Sequence, residues 1–276
     1  MQDQIDWNDV WKEQYQRRAE SNFDADCAGV WNKRDAAMRF WKMSQENGSR
    51  IKMTIEGLPI TTESKVLDIG AGPGTLAIPI AKKVARVTAV EPSKGMVSVL
   101  KDQSRKEGVK NISCVQKRWE DVDPKNDLEG PYDVVFASYS LGMRDIKDAI
   151  EKMIDASSKY VCLYWFAGIS PWEKSYQDLW PNLHGSEYYP GPKCDVIYNL
   201  LYQMGIYPNV ETFQIDHANR FNTFDEAMEH FKPQYHVKTA KQEAILRKFL
   251  ESSLQEDGET LTFPAKSTRV KIWWEK

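Results

Sequence analysis

The stretch Asp68-Ile69-Gly70-Ala71-Gly72-Pro73-Gly74-Thr75 constrains this chain more than any other. A short apolar run, Lys65 to Ile69, enters it, and a helical pattern from Thr75 to about Val84 leaves it. Glycines so placed permit a tight turn and a close approach of backbone to ligand. The first amides of the helix then point at whatever sits above the strand. The same rhythm continues downstream: strand Val87–Glu91, helix Ser93 to about Lys106, strand Ile112–Gln116 and strand Tyr132–Ser138. A helix with Ile146, Ala149, Ile150, Met153 and Ile154 on one face follows, then strand Tyr160–Phe166. Strand alternating with helix predicts an α/β fold, a parallel sheet covered on both faces.

Outside this core the pattern changes. Residues 1–57 predict a helical N-terminal cap, with Trp7, Val10, Trp11 and Tyr15 at helical spacing after Asp6, and a second segment bearing Ala36, Ala37, Phe40 and Trp41. Residues 58–276 form the main domain, with insertions at about 167–194 and 217–267. The first is rich in Pro, Trp and Tyr, unlike a linker. The second holds two helices, one opening on the capping-box pattern Thr223-x-x-Glu226, the other carrying Ile245, Leu246, Phe249, Leu250 and Leu254. Helix Asp195–Met204, strand Val210–Ile215 and a last strand Arg269–Trp274 complete the pattern. Insertions of that size cover the ligand side of an α/β sheet.

Composition narrows the function. The chain has 276 residues, 37 basic and 40 acidic, for a formal charge of −3. That balance argues against a nucleic-acid partner, which calls for a basic excess. The longest apolar run, Tyr160 to Ile169, is shorter than the ~20 residues of a membrane span. Met1-Gln2-Asp3-Gln4 does not open a signal peptide. Cys27, Cys114, Cys162 and Cys194 form no CxxC pair, so neither a metal site nor a disulfide framework is expected, and a cytoplasmic setting is. Ten tryptophans point to a deep core, a ligand pocket, or both.

Two cofactor classes fit a glycine loop after the first strand. A dinucleotide fingerprint GxGxxG/A, counted from Gly70, needs a small residue where Thr75 stands. The pattern present, Asp68-x-Gly70-x-Gly72-x-Gly74, resembles motif I of the class I S-adenosylmethionine-dependent methyltransferases. The likeness extends over about 58–166 and is nearest to the small-molecule branch typified by quinone-biosynthesis methyltransferases. It implies a Rossmann-like, seven-stranded, mostly parallel sheet with helices on both faces. It also implies cofactor contacts from Asp68, Gly70, Gly72, Gly74 and Ser138. Glu91 would take the ribose hydroxyls and Met96 would pack on the adenine. In Gln116-Lys117-Arg118-Trp119-Glu120-Asp121-Val122, Arg118 stands where many relatives carry Asp, which leaves Trp119, its amide or Glu120 to meet the adenine.

The implied reaction moves a methyl group to an acceptor and releases S-adenosylhomocysteine. The fourth strand ends in Phe136-Ala137-Ser138-Tyr139-Ser140-Leu141-Gly142, without the Asn/Asp-Pro-Pro-aromatic motif of relatives that methylate amides and base nitrogens. A small-molecule acceptor is therefore expected, with a protein side chain as the alternative. A non-catalytic cofactor-binding sensor or partner protein and, further off, a nicotinamide oxidoreductase complete the alternatives. Tyr139, Trp172, Tyr188 and Tyr189 are candidates to line the acceptor pocket, and Tyr139, His184 and His217 are candidate bases. The N-terminal helices are expected to fold over the cofactor, with Phe40 or Trp41 near the opening. The sequence does not specify an oligomeric state.

Overall fold

A computed structural model describes residues 5–21, 29, 31–46 and 48–276. Three helices come first: α1 (Trp7–Ser21), α2 (Arg34–Glu46) and α3 (Gly48–Glu56). The sheet opens with β1 (Lys65–Ile69), α4 (Ala77–Ala81), β2 (Arg86–Val90), α5 (Lys94–Lys106) and β3 (Ile112–Val115). A 3₁₀ turn at Trp119–Asp121 leads to β4 (Tyr132–Ser138), α6 (Ile146–Ala156) and β5 (Ser157–Phe166). Then come α7 (Pro171–His184), α8 (Cys194–Gln203), β6 (Asn209–Phe221), α9 (Phe224–Gln234), α10 (Ala240–Ser253), β7 (Gln255–Asp257) and β8 (Thr260–Glu275).

The strand order is β3-β2-β1-β4-β5-β8-β6. The first five strands are parallel, and β8 runs antiparallel to both β5 and β6. The sheet is thus Rossmann-like and mostly parallel. It has eight strands rather than seven, because the short β7 folds back onto the start of β8.

Alternation along the strands sends side chains to two cores. On one face Leu67, Ile69, Val135, Ala137, Val161 and Leu163 pack under α1, α6 and α8. On the other Val66, Val87, Ala89, Val134 and Phe136 meet α3 and α4. Interior parallel strands must be apolar on both faces, which is why β1 and β4 read as nearly unbroken apolar runs. Trp11 anchors α1 in the first core: it is fully buried, and its indole N–H donates to the Met143 carbonyl at 2.8 Å. Asp145 caps α6 by accepting from the Asp148 amide, and Asn8 and Lys12 of α1 hold the same carboxylate.

The expected insertions share a core of their own. Leu179 and Leu183 of α7 pack with Met228 and Phe231 of α9 and Leu246 and Leu250 of α10. β6 and β8 are much longer than the expected strands, pairing from Asn209↔Trp273 to Phe221↔Leu261. Beyond Phe166↔Arg269 the β8 side of that ladder has left β5, so the two strands project as a ribbon that carries α9 and α10. Thr223 caps α9, but Glu226 returns its bond to the Asn222 amide rather than to Thr223. The reciprocal capping boxes are Ser170/Glu173 on α7 and Thr239/Gln242 on α10.

Replacing Trp11 with alanine removes both the ring and the donor to Met143. The expected loss is about 3–5 kcal/mol of unfolding free energy, read by denaturant titration.

Candidate cofactor and acceptor site

The glycine loop turns over the tip of β1 because two amides share one acceptor. Gly70 N–H and Ala71 N–H both donate to the Val90 carbonyl, at 2.8 and 3.1 Å, which ties the loop to the end of β2. At Gly70 the backbone has φ +72°, and an added Cβ would lie 2.3 Å from the Ser140 Cβ. Only glycine lets the β1 and β4 tips approach so closely. Ser140 Oγ then donates to the Ile69 carbonyl at 2.5 Å. Gly72 differs: its φ is +56° and an added Cβ would meet nothing within 4 Å, so open space lies above it.

Glu91, next along from the end of β2, faces this loop. Its Oε2 accepts from Gly72 N–H and its Oε1 from Ser93 N–H, both at 2.9 Å. It is 8% exposed, and burial raises its pKa even though the two amide bonds pull it down. Each carboxylate oxygen keeps a second lone pair, enough to accept from two ligand hydroxyls.

Asp68 is 2% exposed, and its Oδ2 has no partner among the described residues. Burial first, and the neighbouring Glu91 second, push its pKa well above the carboxylate range. A buried acid without a donor destabilises the protein alone and suits a cationic ligand. Thr75 Oγ1, Ser138 Oγ and the Tyr139 hydroxyl are likewise buried and unpartnered among the described residues. These orphaned polar atoms sit on or beside the β1 and β4 tips.

The first turn of α5 is covered from the N-terminal side. Ser93 Oγ donates to the Trp31 carbonyl at 2.6 Å, and Lys94 N–H donates to Asn32 Oδ1 at 3.2 Å. Met96 is 4% exposed, packed with Ala37 and beside Trp31, Phe40 and Trp41 in the α2–α5 contact. Trp41 also lines a cavity with Ile51, Thr75 and Pro79 on the α4 side, away from Glu91.

Other expected site residues are scattered. Trp119 lies in the core at 3% exposure, its indole N–H on the Ala149 carbonyl at 2.9 Å, so its ring is spent on packing. Glu120 is exposed, and its carbonyl accepts from Lys152 Nζ. Tyr188 belongs to the α7–α9 cluster, stacked on Tyr176 at 4.9 Å, with burial raising its pKa to about 12. Tyr189 is 44% exposed, with Arg17 over its ring. His184 commits Nε2 to the Tyr235 carbonyl at 3.0 Å and its ring to Trp180 at 4.3 Å, a structural use rather than that of a base. His217 lies in β6, and its side chain is outside the described residues.

Tyr139 and Trp172 do come together, around a residue the sequence did not mark. Cζ of Arg269 lies 4.8 Å from the Tyr139 ring centre and 5.0 Å from that of Trp172. Tyr139 has φ +57°, an uncommon conformation for a non-glycine residue. Burial raises its pKa against the opposing pull of Arg269 and Arg50, so at neutral pH it is a phenol and a donor. The available signal for Arg269 was the alternation Ser267, Arg269, Lys271 in the last strand, which reads as a solvated face but is buried.

Residues 66–159 match the family described as methyltransferase domain. That match makes the segment similar to a methyltransferase domain and covers about a third of the chain. An uncharacterized protein from Haemophilus influenzae is 31% identical over 163 residues, covering 59% of this chain and 58% of that protein. The "Probable ribosomal RNA small subunit methyltransferase A" of Methanosphaera stadtmanae is 38% identical over 80 residues, 29% of this chain and 30% of that one. The chain therefore spans less than two thirds of the length of these curated relatives. Among solved structures, the YcgJ protein from Bacillus subtilis superposes with a TM-score of 0.55 at 15% identity, over 82% of this chain and 98% of that one, which speaks to fold alone. Among the described residues no helix is long and apolar enough to cross a membrane.

A carboxyl whose folded pKa is raised favours the folded state below its unfolded pKa, and that preference is lost as pH rises through the folded value. Above that window the ionised Asp68 costs stability. Asp68→Asn should raise the melting temperature of the ligand-free protein at pH 7 by about 2–4 °C.

Proposed function

We propose that this chain binds S-adenosylmethionine over the β1 and β2 tips and transfers its methyl group to a small-molecule acceptor. The observation that carries the reading is the unpartnered, buried Asp68 beside a glycine loop whose Gly72 opens on free space. When bound, the cofactor would supply a methyl group activated on a sulfonium, whose sulfur takes the bonding pair and leaves as a neutral thioether.

In this reading the chain's residues bind and orient. Asp68 faces the cationic methionine part, directly or through water. Glu91 accepts from the ribose hydroxyls with its remaining lone pairs. Gly72 lets the backbone come close to the cofactor, Gly70 and Gly74 hold the loop's shape by making room for Ser140 and for Leu100 and Ile78, and Ser138 offers a hydroxyl at the β4 tip. Met96 is already packed in the α2–α5 contact, so its adenine role would need only its outer edge. The Trp119 ring is core, which leaves its backbone or Glu120 for the adenine amino group. Residues 1–57 serve as a cap, supported by the bonds of Trp31 and Asn32 to the first turn of α5. Residues 58–276 are the transfer domain with its two inserted segments.

Methyl transfer is a direct displacement, so positioning and exclusion of water do most of the work. A base is needed only for a nucleophile that must lose a proton. Tyr139, held as a phenol, orients such a nucleophile rather than deprotonating it. The described cysteines, Cys114, Cys162 and Cys194, are free, which supports a reducing, cytoplasmic setting. The ribosomal RNA relative matches over 30% of its length, too little to lend this chain its substrate.

Calorimetric titration with S-adenosylmethionine tests the reading. The expected dissociation constant is of micromolar order, about −8 kcal/mol. Gly72→Arg should remain folded, at a strain cost of about 1–2 kcal/mol, yet lose binding because its side chain fills the space over the loop. No heat of binding up to about millimolar cofactor, or equal binding by the folded Gly72→Arg protein, would overturn it. Binding without turnover over a broad acceptor panel would favour a sensor instead.

A further inference from the structure

Beside the β4 tip the molecule holds a guanidinium that its own residues leave largely unsatisfied. Arg269 is 7% exposed and stands on β8 opposite Phe166 of β5. Its Cζ lies 4.3 Å from the Phe166 ring centre, inside a cage completed by Tyr139 and Trp172 at 4.8 and 5.0 Å. Aromatic faces attract the cation through its charge. They do not satisfy its N–H groups, which lie in the guanidinium plane and point outward from its edge. One of these, Nε–H, donates to Ser267 Oγ at 2.9 Å, and no ion pair involves Arg269 among the described residues.

The acid near it is already taken. Glu173 Oε1 accepts from Lys193 Nζ at 2.6 Å, and its Oε2 accepts from Ser170 N–H and Ser170 Oγ–H, both at 2.9 Å. Arg50 adds another cation, its Cζ 5.8 Å from the Tyr139 ring centre. With Arg18 and Asp195, which also act on Lys193, four cations (Arg18, Arg50, Lys193, Arg269) against two carboxylates (Glu173, Asp195) leave a formal charge of +2. Desolvation lowers the pKa of both arginines, as expected for buried cations lacking a counter-ion. At the adjoining β4 tip the Tyr139 hydroxyl and Ser138 Oγ are buried without a partner among the described residues.

We propose that the methyl acceptor carries an oxyanion, a carboxylate or a phosphate, on a flat apolar body, and that Arg269 holds this group while Phe166, Trp172 and Tyr139 pack on the body. The inference rests on the methyltransferase reading for the word acceptor and on Arg269 for the rest. A planar fork matches two oxygens of an oxyanion, which point charges do not. The position favours acceptor over cofactor. β8 lies three strands from β1 in the sheet order, about 14 Å at the usual strand spacing, whereas Asp68 and the glycine loop are on β1.

The test uses the full chain with benzoate, phenyl phosphate and benzamide as probes, each titrated with and without saturating S-adenosylhomocysteine. At least one anionic probe should bind at least about tenfold tighter than benzamide, and S-adenosylhomocysteine should not displace it. Arg269→Gln should abolish the preference for the anion, and Arg269→Lys should keep only part of it. Should Arg269→Gln fail to fold, the wild-type preference and the Arg269→Lys comparison decide the matter. Benzamide binding as tightly as both anions, or no probe saturating by about 10 mM, would overturn the proposal. So would displacement of the anion by S-adenosylhomocysteine together with weaker S-adenosylhomocysteine binding in Arg269→Lys, since the group held would then be the cofactor's own carboxylate. If S-adenosylhomocysteine does not bind while the anions do, the methyltransferase reading fails and the oxyanion site stands.

Discussion

The arrangement of the candidate site depends on one carbonyl. Val90, the last residue of β2, receives the amides of both Gly70 and Ala71, and this fixes the glycine loop across the gap between β1 and β2. Glu91 then cannot help but face Gly72, and its carboxylate takes that amide. Ser140 closes the other side, lying where Gly70 would carry a Cβ. The turn is therefore held from β2 and from β4 at once. It leaves Asp68 beneath it in a space too dry for its charge and without a donor. That strain is what the proposed binding of a cationic ligand would relieve.

The two inserted segments share one core rather than standing as separate decorations. α7 from the first inserted segment and α9 and α10 from the second share a core, carried on the extended β6–β8 ribbon. Its neighbours reach the site at a single place. Trp172 opens α7, Phe166 ends β5 and Arg269 enters the sheet where β8 meets β5, so three separate segments converge beside Tyr139. The tryptophan excess is divided in the same way. Trp11 and Trp165 pack against each other under the sheet, Trp180 packs on Tyr176 and Tyr188, and Trp172 alone of these lies against Arg269.

The legible features were those whose signal is local. The glycine turn, the acid after β2, the Ser93 start of α5 and the apolar runs of β1 and β4 each occupy a few consecutive residues. The eighth strand and the long ribbon were not legible, because Pro264 interrupts the Thr260-Leu261-Thr262-Phe263 alternation and a proline argues against a paired strand. It is accommodated opposite Ala218 in the ribbon beyond the main sheet. Residue type marked His184 and Tyr188 as site candidates, yet it cannot say what each packs on: His184 meets the Tyr235 carbonyl and Tyr188 stacks on Tyr176. Arg269 was hidden most deeply: its partners lie some hundred residues away in sequence, and only the antiparallel register of β8 on β5 brings them together.

The central claim is that the β1 and β2 tips hold S-adenosylmethionine through Asp68 and Glu91. A crystal structure of the full chain with S-adenosylhomocysteine measures this most directly. The account predicts ribose hydroxyls on the Glu91 carboxylate, the amino group facing Asp68 and the sulfur toward the Ser138–Tyr139 tip. Cofactor lodged instead in the cavity between Trp41, Ile51 and Pro79, with Asp68 and Glu91 untouched, would contradict it.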